Sequence, residues 1–157
     1  MDGCYAAWGW WLKGRGGGRK DCVWVCEFTG GYIMKKQVLV LDDDHGVRRF
    51  LSRVLDHLGL EASESGDIQD ALSKCTDKKF DLIILDYNLS NDEIGWEVAR
   101  AVRKNEKLYG APKIIGISGT VDIDIVETLG FSSEDFDAFL PKPFIMAELE
   151  KLMEELM

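Results

Sequence analysis

The sequence predicts an α/β fold: a doubly wound, five-stranded parallel sheet with five helices on its two faces. Three observations carry this. From Gln37 to Met157, short apolar runs alternate with stretches of helical periodicity. The runs are too continuous for strands with one wet face, so they read as strands buried on both sides. Finally, 157 residues, 46% hydrophobic and 30% charged, suit one globular domain that folds without staples.

The elements follow in order. Val38–Leu41 is an apolar strand running into Asp42-Asp43-Asp44. Val47, Phe50, Leu51, Val54, Leu55 and Leu58 then recur at helical spacing and define one face. Asp44 can cap the start of this helix and Gly59 can end it. Leu60–Ser65 is a weaker strand. Gly66-Asp67 opens a helix with Ile68, Ala71, Leu72 and Cys75 on one face. Phe80–Leu85 is a second strongly apolar run, again ending in an acid, Asp86. After a loop over Asn88–Ile94, a helix over Trp96–Asn105 turns Val98, Ala99 and Val102 inward, with Trp96 as packing. Pro112 precedes Lys113–Ile117, a β-branched run that ends at Ser118-Gly119-Thr120. Asp122–Leu129 is a short helix stopped by Gly130, and Ser132–Asp135 an exposed acidic loop. Asp137–Leu140 is the last strand and runs into Pro141-Lys142-Pro143-Phe144. Ile145–Met157 is the closing helix, with Leu149, Leu152, Met153 and Leu156 on one face and a Glu148–Lys151 pair at i,i+3. Strands alternating with helices give parallel pairing with helices on both faces.

The first 33 residues differ from the rest. They hold 8 of the 16 Gly, 4 of the 5 Trp and 3 of the 4 Cys. They carry a charge of +1, so residues 34–157 carry −10 of the total −9. No helical or strand period runs through them, and Met34-Lys-Lys-Gln leads directly into the first strand. Residues 1–33 therefore read as a disordered or non-native N-terminal extension, with a functional tail as the alternative, and residues 34–157 as the domain. The extension lacks the layout of a secretory signal. Cys22 and Cys26 have no second Cys or His pair nearby, so they read as free thiols rather than zinc ligands. Nothing requires an oxidising compartment, and the expected location is cytoplasmic. The acidic balance argues against binding DNA or another phosphate backbone, and no apolar run of 18 residues exists to span a membrane.

In a doubly wound sheet, sites form at the carboxyl ends of strands. Those ends carry Asp42-Asp43-Asp44, Asp86, Ser118 and Lys142. Clustered carboxylates repel each other, and a divalent cation relieves the conflict. Oxygen donors without paired His or Cys suit Mg²⁺. A lysine supplies a point charge for phosphate and a Ser hydroxyl a hydrogen bond to it. Together these parts describe phosphoryl transfer to a carboxylate nucleophile.

The segments VLVLDDDHGVRRFL, FDLIILDYNLS, KIIGISGT and FLPKPF, in this order, resemble the receiver domain of two-component response regulators. The resemblance covers about Lys35 to Met157. It implies a flavodoxin-like sheet of order 2-1-3-4-5. It implies Asp86 as the phosphoacceptor, Asp43 as a direct Mg²⁺ ligand, Asp42 as the acid holding the ion through water, and the Asn88 carbonyl as a further metal ligand. Ser118 matches the hydroxyl switch position, Lys142 the phosphoryl-binding lysine before a cis Pro143, and Phe139 the aromatic switch. Asp44 stays a helix cap, and His45 and His57 surface residues. Asn88 and Thr120 match positions that set how fast water removes the phosphoryl group.

The resemblance further implies a phosphoacceptor that is not a turnover enzyme. Its partners would be a sensor histidine kinase or phosphotransfer protein and a downstream protein effector, and the chain would be a monomer or weak dimer. Signalling would pass through the fourth helix, fifth strand and fifth helix. With no output domain after the closing helix, a stand-alone, chemotaxis-regulator-like receiver is expected. There are departures from the family pattern. Ser90 stands where the family usually has Pro, Gly95 comes about one residue late, the loop over residues 90–94 is more acidic, and Gly130–Asp137 is longer. The alternatives are a haloacid-dehalogenase-type phosphatase, which Gly46 and the short chain disfavour, and a pseudo-receiver that binds partners without phosphate.

Overall fold

The computed structural model describes residues 27–29, 32–90, 94–119 and 133–157. Thr120, the helix expected at 122–129 and residues 1–26 of the expected extension lie outside the described residues. The extension's last residues form two short antiparallel strands, β1 (Glu27–Thr29) and β2 (Tyr32–Met34), with Glu27 opposite Met34. No strand period foretold them.

The main sheet contains β3 (Gln37–Leu41), β4 (Glu61–Ser65), β5 (Leu82–Asp86), β6 (Lys113–Ser118) and β7 (Ala138–Pro141). All pairs are parallel, in the order β4-β3-β5-β6-β7, which is 2-1-3-4-5 for five strands counted along the chain. Pro141, which has no N–H to donate, sits at the end of the edge strand β7, where a missing donor is tolerated.

Helices cover both faces. Val38, Val40, Leu82, Ile84, Ile115 and Ile117 pack against α1 (His45–His57) and the closing helix (Met146–Leu156). Leu39, Leu41, Ile83, Leu85 and Ile114 pack against α2 (Ile68–Asp77) and α3 (Trp96–Lys104). Neighbouring residues on β3 and β5 thus enter opposite cores, which is why these strands are apolar throughout. A one-turn helix, α4 (Glu106–Tyr109), follows α3 and ends at Gly110, whose φ of 86° suits glycine. The closing helix is therefore α5.

Asp44 and Gly59 behave as the sequence predicts, and Asp67 also caps α2. Asp44 Oδ1 accepts from the N–H groups of Gly46 and Val47, at 2.6 and 3.2 Å, and Asp67 Oδ1 accepts from Asp70 N–H at 2.8 Å. Gly59, at φ 80°, follows the end of α1. Two expectations are corrected. Phe50 belongs to the apolar pattern of α1 but is 48% exposed. Leu51, Val54, Leu55 and Leu58 already fill the inward stripe, and Phe50 lies one residue off it, at the rim of an open groove of about 510 Å³ with Val47, Pro143 and Phe144. Glu148 does not pair with Lys151. It turns back to accept Ile145 N–H at 3.0 Å, capping α5, while Lys151 faces Glu155 at 4.0 Å.

Candidate functional site

Apolar strands need hydrogen-bonded ladders, and the polar residue that closes a strand or directly follows it stands at the sheet edge. For β3 these residues are Asp42 and Asp43, for β5 Asp86, for β6 Ser118, and for β7 Lys142. Parallel pairing puts all of these ends on one edge, so residues from four distant segments meet there.

Lys142 holds the centre. Its Nζ donates to Asp86 Oδ2 at 2.7 Å and to Asp42 Oδ2 at 2.9 Å. The two carboxylates are almost enclosed, with side-chain exposures of 11% for Asp86 and 3% for Asp42. Lys142 follows from the strand ends: its own N–H donates to Ser118 O at 2.7 Å, which ties the β7 exit to the β6 end. The Lys142–Pro143 peptide is cis, as the resemblance implies.

Burial pushes the Asp86 carboxyl above the usual carboxylate range, and the Asp42 charge adds to this. The Lys142 ammonium and the Asn88 backbone N–H oppose the rise. Burial works against the Lys142 charge, but its two carboxylate partners outweigh it and raise its pKa. Asp43 is exposed, and the Ser90 hydroxyl donates to Asp43 Oδ2. That bond is the main reason the Asp43 carboxyl lies below the usual range. Ser90, noted in the sequence as a departure, thus lies in the site itself.

Asp42, Asp43 and Asp86 each offer an oxygen, and these atoms lie within 4.8 Å of one another. The cluster has no nitrogen or sulfur donor, and a hard divalent cation fits three carboxylates best. Asn88 is exposed beside it and bridges to Ile94 across the loop.

The wall behind Ser118 is aromatic. Phe139 and Gly116 are register partners on β7 and β6. A β-carbon at Gly116 would meet the Phe139 ring at 2.9 Å and the Phe136 ring at 3.0 Å. Trp96 meets Phe136 edge-on, with centroids 4.4 Å apart, and lies 5.8 Å from Phe139. Tyr87 meets Trp96 edge-on at 5.4 Å. These rings, with Leu85 and Ser118, surround about 10 Å³ of free space, room for about one water.

The structure therefore brings Asp42, Asp43, Asp86 and Lys142 into one cluster, with Asn88 and Ser118 beside it and Phe139 in the adjoining wall. Sequence reasoning missed Gly116 and Phe136, although a lone Gly inside a β-branched run signals close approach. It treated Gly95 only as a shifted helix start. A β-carbon there would lie 2.0 Å from the Asp86 carbonyl oxygen, so glycine is required for α3 to begin against the back of Asp86.

Comparison with known proteins agrees with this arrangement. The family model described as response regulator receiver domain matches residues 38–154. The response regulator ArlR of Staphylococcus aureus is 32% identical over 113 residues, covering 72% of this chain and 48% of that regulator. The hybrid signal transduction histidine kinase L of Dictyostelium discoideum is 30% identical over 122 residues, covering 76% of this chain and 7% of the kinase. The chain thus spans less than half the length of these curated relatives. Among solved structures, the Vibrio cholerae chemotaxis protein CheY4 is 26% identical with a TM-score of 0.67, covering 79% of this chain and all of CheY4. The Thermotoga maritima response regulator TrrA, solved with Mg²⁺ and BeF, is 30% identical with a TM-score of 0.66, covering 78% of this chain and 99% of TrrA. With the family model spanning most of the sequence and its strand ends converging on one acidic edge, the chain belongs to the response regulator receiver domains.

Proposed function

We propose that this chain accepts a phosphoryl group on Asp86 from a sensor histidine kinase or phosphotransfer protein and signals by the resulting change of conformation. The observation that carries the reading is the Lys142 ammonium bridging Asp86 and Asp42 beside Asp43. Asp43, Asp86 and the Asn88 carbonyl would hold Mg²⁺, with Asp42 in support. When bound, that ion neutralises charge on the transferring phosphoryl group.

The chain's own residues do the rest. An Asp86 carboxylate oxygen forms the new bond to phosphorus while the phosphorus–nitrogen bond of a phosphohistidine breaks, and the imidazole leaves with the electron pair. Lys142 stays protonated and turns from the carboxylate pair to the phosphoryl oxygens. Asp42 keeps Lys142 within reach of the group throughout. The Ser118 hydroxyl, at the neighbouring strand end, offers a hydrogen bond to the phosphoryl oxygen. Phe139 shares the aromatic wall with Ser118, so a shift of Ser118 is felt in its packing. Asn88 stands where it can influence access of water to the acyl phosphate. The group is held stoichiometrically, without turnover of a free phosphate ester.

Acetyl phosphate with Mg²⁺ tests the acceptor directly. Wild type is expected to gain one acid-stable phosphoryl group, and Asp86→Asn none. Equal labelling of the two proteins would remove Asp86 from the mechanism, and catalytic hydrolysis of a phosphate ester such as p-nitrophenyl phosphate would favour the phosphatase alternative.

A further inference from the structure

Arg48 lies one turn into α1, and its side chain folds back over the acidic turn. Its NH1 group donates to the backbone carbonyls of Asp42, at 2.6 Å, and Asp43, at 3.0 Å. These carbonyls lie just beyond the end of β3. Its Nε faces Glu64 Oε2 at 3.7 Å, and the other Glu64 oxygen is held by Ser52 Oγ at 2.8 Å. The guanidinium lies against Gly66, where a β-carbon would come within 3.2 Å of NH1. Its side chain is only 16% exposed. Arg48 is thus anchored on β4 at one side and grips the turn bearing Asp42 and Asp43 at the other.

We infer that Arg48 is a positioning residue for the metal-ligand turn: its guanidinium fixes the peptide groups of Asp42 and Asp43 so that both carboxylates point at Asp86. The inference rests on the metal-site reading above. Its bonds to this turn run to backbone carbonyls and occupy none of the carboxylate oxygens of Asp42 or Asp43. A neighbouring bond shows the order this imposes: Asp44 N–H donates to Asp42 Oδ1 at 2.8 Å and orients that carboxylate.

The sign of one measurement separates positioning from simple charge. A bystander cation repels a dication, so its removal would tighten Mg²⁺ binding. Loss of a positioning group loosens the ligands, typically about 10- to 100-fold in metal affinity. Calorimetric titration of the full chain with MgCl₂ reads this without any turnover. Arg48→Ala is expected to raise the Mg²⁺ Kd about tenfold or more. The Asp44 amide of the metal-free variant is expected to lose protection from hydrogen exchange. Arg53→Ala, which removes an exposed cation further along α1, is expected to leave the Kd unchanged or slightly lower. An unchanged or lower Kd in Arg48→Ala overturns the inference. Should that variant fail to fold, Arg48→Lys carries the test: it keeps the charge but loses the planar fork, so its Kd should still rise, and a wild-type Kd overturns the inference. If wild type and Arg53→Ala bind Mg²⁺ and Arg48→Ala binds it equally well, only this inference falls. If wild type takes up no Mg²⁺, the metal-site reading falls and takes the inference with it.

Discussion

Asp86 and Asp137 stand at opposite ends of the same sheet, each largely enclosed and each touched by a lysine, yet their charges are treated in opposite ways. Asp137 precedes β7. Its Oδ2 meets Arg103 NH2 at 2.5 Å and accepts Ile114 N–H at 2.8 Å, while Oδ1 accepts from Lys113 at 2.9 Å. Burial would raise its pKa, but two cations and a backbone N–H outweigh burial and lower it. Asp86 shares one lysine with Asp42, and there burial wins. The difference separates a clip from a reactive group. A carboxylate with each oxygen satisfied holds segments together, whereas one left short of positive charge can take a cation or an electrophile.

The largest effect should come from removing the shared cation. Lys142→Ala is expected to slow phosphoryl uptake from acetyl phosphate about 100- to 1000-fold, the usual cost of losing one donor to a developing anion. Rapid-quench labelling measures it. A loss under tenfold would break the comparison, since Asp86 would then not depend on its lysine.

Next is the clip. Asp137→Asn is expected to lower stability by about 2–3 kcal/mol in urea titrations, because it weakens charge-assisted bonds to Arg103 and Lys113. The Mg²⁺ Kd should not move. The pH dependence has a definite sign. Since the folded state depresses the Asp137 pKa, its contribution is complete above the unfolded carboxylate value and is lost as pH falls below about 4. The stability gap between wild type and Asp137→Asn should therefore narrow in acid. A gap that widens there would contradict the assignment.

How much of this was legible beforehand follows from what periodicity can carry. The strand ends were readable because each acid or lysine directly follows an apolar run, and parallel topology does the gathering. Asp44 was readable as a cap because its partners lie two or three residues away. The Ser90 bond to Asp43 and the grip of Arg48 on the same turn were not readable as contacts. Each depends on a side chain crossing between segments, and local spacing contains no such distance. Phe50 was misplaced because its pattern marks a stripe without saying how wide the core beneath it is. The α4 turn and the β1–β2 pairing are too short to carry a period.

The smallest effect sharpens the comparison from between the two sites. Gly116→Ala is expected to destabilise the protein by about 1–2 kcal/mol, because the new methyl meets the Phe139 and Phe136 rings. The near-UV circular dichroism of the aromatic wall should change while far-UV signal is kept. No change would mean that these rings yield freely and do not couple the β7 segment to Ser118.

The seat of Trp96 has a practical consequence. Four of the five tryptophans precede Met34, and the fifth is Trp96, its indole edge-on to Phe136 and tilted against Phe139. Replacing Trp8, Trp10, Trp11 and Trp24 with Phe would leave one emitter, placed where the aromatic switch would have to move. The molecule carries its own optical gauge, and the brightness and colour of one indole would report whether phosphate at Asp86 reaches the far side of the wall.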